Sequence, residues 1–239
     1  MGFNRPQWKF LNKSFRETGL LSKNYLLPKN NNLPIAGTKH PSENYYGKNM
    51  LELGCQEIRK AVKNKLNYGG MAARGYFKSI GINCISIDKS SCHRAVVTDL
   101  KKPIRKEYIN NFDIITNSGT TEHVKPFDGQ YMSFKNIHDC AKIGGVIIHI
   151  LPGIGEYYGH CQTYYDYDFF RMLAKYNNYE LVLMDDIKKR SKFVWVGVCF
   201  VKKEDREFMI DKKKFFKHLE WIDKKIYKKH QTHKSKYMY

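Results

Sequence analysis

Two histidines and a set of carboxylates stand where they could do chemistry. His123 lies in the polar run Asn117-Ser118-Gly119-Thr120-Thr121-Glu122-His123-Val124, and His160 closes the glycine-punctuated Pro152-Gly153-Ile154-Gly155-Glu156-Tyr157-Tyr158-Gly159. An imidazole changes charge nearer to neutrality than any other unperturbed side chain, so either could take a proton from a reacting group. Asp88 and Asp99 each follow a short apolar run. A carboxylate in the first position could accept hydrogen bonds from the two hydroxyls of a ribose, and one in the second from the amino group of an adenine. Gly54, in Leu51-Glu52-Leu53-Gly54-Cys55-Gln56, lets the backbone approach a ligand, while Glu52 sets the local charge.

These residues need a scaffold that brings distant positions together. Short apolar runs at 49–53, 83–87, 95–98, 112–116, 146–151, 180–184 and 193–201 alternate with amphipathic stretches at 57–66, 71–80, 130–142 and 167–176. That alternation predicts seven strands in a mostly parallel sheet, with helices on both faces and β-α-β order throughout. An open sheet of this kind binds its ligand at the carboxyl ends of the strands, where strand order reverses. Glu52, Gly54, Asp88, Asp99 and Asn117 all fall at or just past predicted strand ends. His149, inside the fifth run, reads as a core histidine.

The flanks differ from this middle. Residues 1–47 form an N-terminal helical and loop extension with apolar anchors such as Trp8, Phe10 and Phe15, a candidate substrate lid. Residues 48–201 make the main domain. In the C-terminal extension, 202–239, Phe215, Leu219, Ile222 and Ile226 recur at helical spacing among lysines, which predicts a basic amphipathic helix docked on its own domain.

Composition narrows the function classes. The chain has 239 residues with 42% hydrophobic and 14% aromatic content, enough for a folded core. No apolar run approaches the roughly 20 residues of a membrane span, and Met1-Gly2-Phe3-Asn4-Arg5-Pro6 is not a secretory signal, so a cytoplasmic protein is expected. Six cysteines without a CxxC pair read as reduced thiols, and Cys92-His93, His138-Asp139-Cys140 and His160-Cys161 are adjacent groups that rarely converge on one ion, so no metal is expected. The formal charge of +19 would attract a polyanion. Much of it lies in the flanks, with seven Lys/Arg against two acids in 1–47 and thirteen against six in 202–239.

Residues 48–201 resemble the class I (Rossmann-like) S-adenosylmethionine-dependent methyltransferases. LELGCQ is similar to that family's acidic-x-Gly first motif, SIDKS to its second, VVTDL to its third, FDIITNSGTTEHV to its fourth, and AKIGGVIIHILP to its Gly-Gly fifth strand. The resemblance implies S-adenosylmethionine as cofactor, with Glu52, Gly54, Cys55 and Gln56 around its methionine part. It sets Asp88 on the ribose, Asp99 and Leu100 near the adenine, and Asn117, Ser118 and Gly119 at the cleft floor. Cys55 and Gln56 stand where the family has small residues, and the long interval from Gly54 to Asp88 implies an extra helix-turn at 65–70.

Methyl transfer from a sulfonium is an in-line displacement, in which alignment supplies much of the catalysis and a base serves only a protonated nucleophile. His123 and His160 are the candidate bases, His123 being equally a substrate-positioning or cofactor-covering group. Glu122, Tyr157, Tyr158 and Tyr164 are the candidate substrate residues. The acceptor is read as a small molecule or glycan-type compound. The other readings are a nucleic acid methyltransferase using the basic flanks, against which stands the lack of an Asn/Asp-Pro-Pro-aromatic run at 117–120, and a silent methyltransferase-like binding module. Oligomeric state leaves no mark in the sequence.

Overall fold

A computed structural model describes residues 2–22, 34–155, 159–190, 193–209 and 211–222. Its strands are β1 (Gly2–Phe3), β2 (Asn49–Leu53), β3 (Glu57–Ile58), β4 (Asn83–Asp88), β5 (Val96–Val97), β6 (Phe112–Ser118), β7 (Ala141–Pro152), β8 (Thr163–Tyr165), β9 (Tyr179–Arg190), β10 (Phe193–Lys202) and β11 (Leu219–Trp221). The helices are α1 (Arg5–Glu17), α2 (Lys60–Leu66), α3 (Ala73–Ser79), α4 (Gly129–Cys140), α5 (Tyr167–Asn177) and α6 (Lys212–Lys217).

All seven predicted strands join one sheet in the order β5-β4-β2-β6-β7-β10-β9. The pairs from β5 to β7 are parallel, and β10 runs antiparallel to both β7 and β9. Strand order reverses between β2 and β6, which is where the carboxyl ends splay and leave a crevice. Successive side chains point to opposite faces, so each strand feeds two cores. Met50, Ile114 and Ile148 pack on the side of α1, α2 and α3, whereas Leu51, Ile115 and Ile147 pack on the side of α4 and α5.

α1 begins at a capping box in which Asn4 and Gln7 exchange side-chain-to-backbone hydrogen bonds, both 3.1 Å. It buries Trp8, Phe10, Leu11 and Phe15 in the first of those cores. Gly197 on β10 permits this close packing, since a Cβ there would lie 2.7 Å from both Phe10 and Ile187. The described part of the N-terminal segment is therefore built into the face of the sheet.

Two expectations need correction, and a third is met. The β-α-β order is not continuous, because only a single 3-10 turn, Lys106–Tyr108, lies between β5 and β6, and β9 and β10 pair directly as antiparallel neighbours. The interval after β2 holds two short helices, as the separate stretches at 57–66 and 71–80 predict. α2 ends at Asn67 in the left-handed conformation, and α3 follows Gly69 and Gly70, the break falling where an extra turn was expected. Among the described residues the C-terminal amphipathic helix is only the six residues of α6, after which Leu219–Trp221 pair antiparallel with Thr163–Tyr165. Phe215 and Leu219 still pack against the second core, and Ile222 joins Cys161 and Tyr164. Ile226 lies outside the described residues. An extended segment completes the backbone hydrogen bonds of β8, which a helix could not do.

None of the six cysteines is in a disulfide. Among the described residues no helix is long and apolar enough to cross a membrane.

Candidate active site

A cavity of about 430 Å³ opens where strand order reverses, at the carboxyl ends of β2, β4 and β6. Seven of the ten expected cofactor residues line it: Gly54, Cys55, Gln56, Asp88, Asp99, Leu100 and Gly119. Glu52, Asn117 and Ser118 do not reach the wall and lie buried in the sheet beneath it. His123 and Thr120 also line the cavity, as do Lys89, Lys101 and Lys125. The three lysines were missed by the sequence reading because isolated charges in loops carry no pattern.

The turn after β2 is shaped by Gly54 and Asp88. Gly54 adopts φ +77°, and a Cβ there would fall 2.3 Å from the Thr120 hydroxyl. The chain then points the Cys55 N–H at Asp88 Oδ2, 2.9 Å away. Burial raises the Asp88 pKa, but donation from Ser90 and Cys55 overcomes it and holds the carboxyl below its ordinary value. Asp88 is thus an anion whose Oδ1 already accepts from the Ser90 N–H and hydroxyl, while Oδ2, with one bond from Cys55, can accept one more. The Cys55 thiol donates to the Cys92 carbonyl and is pushed up to about 12, chiefly by burial, so it stays protonated. Gln56 turns inward, where its amide donates to Thr120 Oγ1 at 3.3 Å, and Thr120 in turn donates to the Leu53 carbonyl at 2.8 Å.

Beneath this turn, Glu52 is fully buried with Ser86 Oγ donating to it. Burial raises its pKa to about 8, so the carboxyl is mostly protonated at neutral pH. Its role is that of a neutral floor rather than a charge.

The loop after β6 is held by a buried network. The Asn117 amide donates to Thr121 Oγ1 at 2.9 Å and lies 3.1 Å from His149 Nδ1. Gln130 on α4 donates to the carbonyls of Thr121 and Val124 at 2.6 and 3.1 Å, and the Tyr165 hydroxyl donates to Gln130 Oε1 at 2.8 Å. Desolvation pushes His149 down to about 3, so it is neutral, consistent with a core role.

This clamp presents Glu122 and His123 next to His160. Glu122 Oε1 lies 3.5 Å from His123 Nε2 and 3.5 Å from His160 Nε2, and the two rings meet edge to face at 5.3 Å. Glu122 is wholly buried, with neither carboxylate oxygen accepting a hydrogen bond. Desolvation and the neighbouring His160 lower the His123 pKa, with Glu122 opposing them. A neutral His123 can accept a proton. The convergence joins residues 37 positions apart, which is why sequence adjacency could not reveal it.

The expected substrate residues divide. Tyr164 is fully buried, its hydroxyl donating to the Cys161 carbonyl at 3.1 Å, so it cannot touch a substrate in this arrangement. Tyr157 and Tyr158 lie outside the described residues.

The seven-stranded, mostly parallel sheet with helices on both faces and the cavity at its reversal point form a Rossmann-like α/β arrangement. No family model and no curated protein matches the chain. Among solved structures it is similar to the Burkholderia thailandensis 1,6-didemethyltoxoflavin-N1-methyltransferase, at 11% identity over 66% of this chain and 72% of that one, with a TM-score of 0.47. It is similar also to the N-methyltransferase NodS from Bradyrhizobium japonicum, at 15% identity over 66% and 80% of the two chains and a TM-score of 0.47. A third is a TehB-like SAM-dependent methyltransferase from Corynebacterium glutamicum, at 20% identity over 66% and 82%, with a TM-score of 0.44.

Proposed function

We propose that this chain binds S-adenosylmethionine in the cavity beside Gly54 and Asp88 and transfers its methyl group to a small-molecule or glycan-type acceptor. The observation that carries this reading is the anionic Asp88 at the end of β4, beside the Gly54 turn of the neighbouring β2, in a cavity of about 430 Å³ that opens at the order reversal. That volume is within the usual range for small-ligand sites.

The residues fit the cofactor's parts. Asp88 Oδ2 can accept from a ribose hydroxyl, Leu100 offers an apolar surface to a purine, and Asp99 brings an acceptor for an amino group to the same wall. Cys55 and Gln56 replace the family's small residues, yet Gln56 is turned inward and is 2% exposed, which leaves the cavity open. Bound there, the cofactor would supply an electrophilic methyl on a sulfonium. The protein's part is to hold acceptor and methyl in line and exclude competing water. His123, at the cavity wall with a lowered pKa, is the group placed to take a proton from an acceptor that carries one, and His160 stands behind it.

Thermal unfolding with and without S-adenosylhomocysteine tests the reading, beside an Asp88→Ala variant. Ligand at ~100 times its dissociation constant adds ~2.7 kcal/mol, a rise of several degrees for a chain of this size. Loss of that rise in the variant supports the assignment. No rise at millimolar ligand, in a protein that melts cooperatively, removes it.

A further inference from the structure

The geometry points to a divalent transition-metal site formed by Glu122, His123 and His160. One ligand atom from each lies within 4.8 Å of the other two, and Glu122 Oε1 is 3.5 Å from each imidazole Nε2. Ligands ~2.1 Å from a tetrahedral ion stand about 3.4 Å apart. Two of the three separations therefore already match, and only the imidazole pair has to draw together.

The electrostatics ask for a cation. Glu122 is 0% exposed and neither oxygen accepts a hydrogen bond, while His160 Nε2 is buried and likewise has none. A buried carboxylate without hydrogen bonds is costly unless a charge compensates it. The turn that carries Glu122 and His123 is pinned on both sides by Gln130, so two of the three ligands are held on one fixed turn before any ion arrives. Such support from neighbouring groups is what metal sites use to orient their ligands.

Two imidazoles and one carboxylate suit Zn²⁺, Co²⁺ or Fe²⁺ better than Mg²⁺ or Ca²⁺, which favour all-oxygen sets. The side chains of His123 and His160 are 38% and 21% exposed, which leaves the remaining coordination positions open to a water or a ligand atom. Three protein ligands with an open position is the form of a reactive rather than a structural site. Because His123 also lines the cavity, the ion sits at its rim. There it holds an oxygen or nitrogen of the acceptor, a role that rests on the methyl-transfer reading, although metal binding itself does not. With the ion bound, both histidines are ligands and neither is free to act as a base.

The test uses untagged full-length protein, stripped with a chelator and titrated with Co²⁺ at neutral pH by calorimetry and visible absorption. One equivalent should bind with d–d bands of a low-symmetry site, and Glu122→Gln and His160→Gln should each weaken binding at least ~tenfold. If wild type binds no more tightly than a cooperatively folded His160→Gln variant, the site is overturned. That comparison decides even if the buried Glu122→Gln substitution prevents folding, and it also separates this site from adventitious capture by Cys92 or His93. S-adenosylhomocysteine binding, measured on the same metal-free samples, separates the two readings. Ligand binding without specific Co²⁺ binding overturns the metal site alone. Specific Co²⁺ binding without ligand binding upholds the site and removes the methyl-transfer reading.

Discussion

The Asp88 carboxylate and the Cys55 backbone N–H meet at 2.9 Å, tying the end of β4 to the turn after β2 across the mouth of the cavity. One side chain thus shapes the turn after β2 and keeps an acceptor position on the cavity wall.

Replacing Asp88 by Ala should weaken S-adenosylhomocysteine binding about tenfold to a hundredfold, the range expected when hydrogen bonds to a charged group are lost. Asp88→Asn, which keeps one acceptor oxygen, should fall between. Isothermal calorimetry on the three proteins checks the order.

Gly54→Ala should both destabilise the protein and abolish ligand binding. Its φ of +77° costs an L-residue ~1–2 kcal/mol, and the added methyl would press on Thr120 and Gln56. Paired urea melts and ligand titrations would reveal both losses. A variant that binds normally would show that the turn is not the ligand turn.

Glu52 should make the protein less stable as pH rises. Its carboxyl holds a proton up to about 8 in the folded state, against 4.5 as the ordinary value, so between those limits the folded form binds more protons than the unfolded one. The contribution is fully present below pH ~4.5 and is gone once pH passes about 8. Glu52→Gln should flatten this slope and melt above wild type near pH 8, with the gap closing toward pH 5.

His138 acts in the opposite direction. It is held neutral between the Tyr179 hydroxyl and the Arg206 carbonyl, both at 2.6 Å, and its pKa is lowered to about 4, first by burial and then by Lys202. The unfolded chain takes up this proton near pH 6.5 and the folded chain does not, so stability is lost as pH falls from ~6.5 through about 4. His149 adds to the loss down to about 3. Urea unfolding across pH 3.5–7 in the Glu52→Gln background, where the opposing slope is absent, should show unfolding coupled to proton uptake.

Tyr165→Phe should cost ~1–3 kcal/mol, because it strands a buried Gln130 oxygen and removes a contact to Thr121. Beyond that loss, it should loosen the turn bearing Glu122 and His123. Faster amide exchange at residues 121–124, beside unchanged exchange in α1, would distinguish this from general weakening.

The strands of the large sheet were legible because both of their faces are buried, with Leu51, Ile115 and Ile147 in one core and Met50, Ile114 and Ile148 in the other, so each reads as a short apolar run between amphipathic stretches. That Gly54, Asp88 and Asp99 share one cavity wall was legible because positions just past the strand ends of such a sheet converge. The short pairs were not. Thr163–Tyr165 is too brief to carry a period, and its partner Leu219–Trp221 sits far along the chain in an apolar stripe that fits a helix equally well. Only the unmet backbone groups of β8 decide between the two. Glu52 read as a charge because a sequence displays residue type but not burial, and the meeting of Glu122 with His160 depends on loops whose path no local pattern encodes.

The pairing of Leu219–Trp221 with Thr163–Tyr165 also acts as a tether. It fastens a strand next to the loop of His160, and that strand carries the Tyr165 hydroxyl that braces Thr121 beside Glu122. Tension on the chain after Ile222, or a partner that peels β11 away, would slacken this brace from a distance. A segment that lines none of the cavity can thereby set how firmly the turn of Glu122 and His123 is gripped.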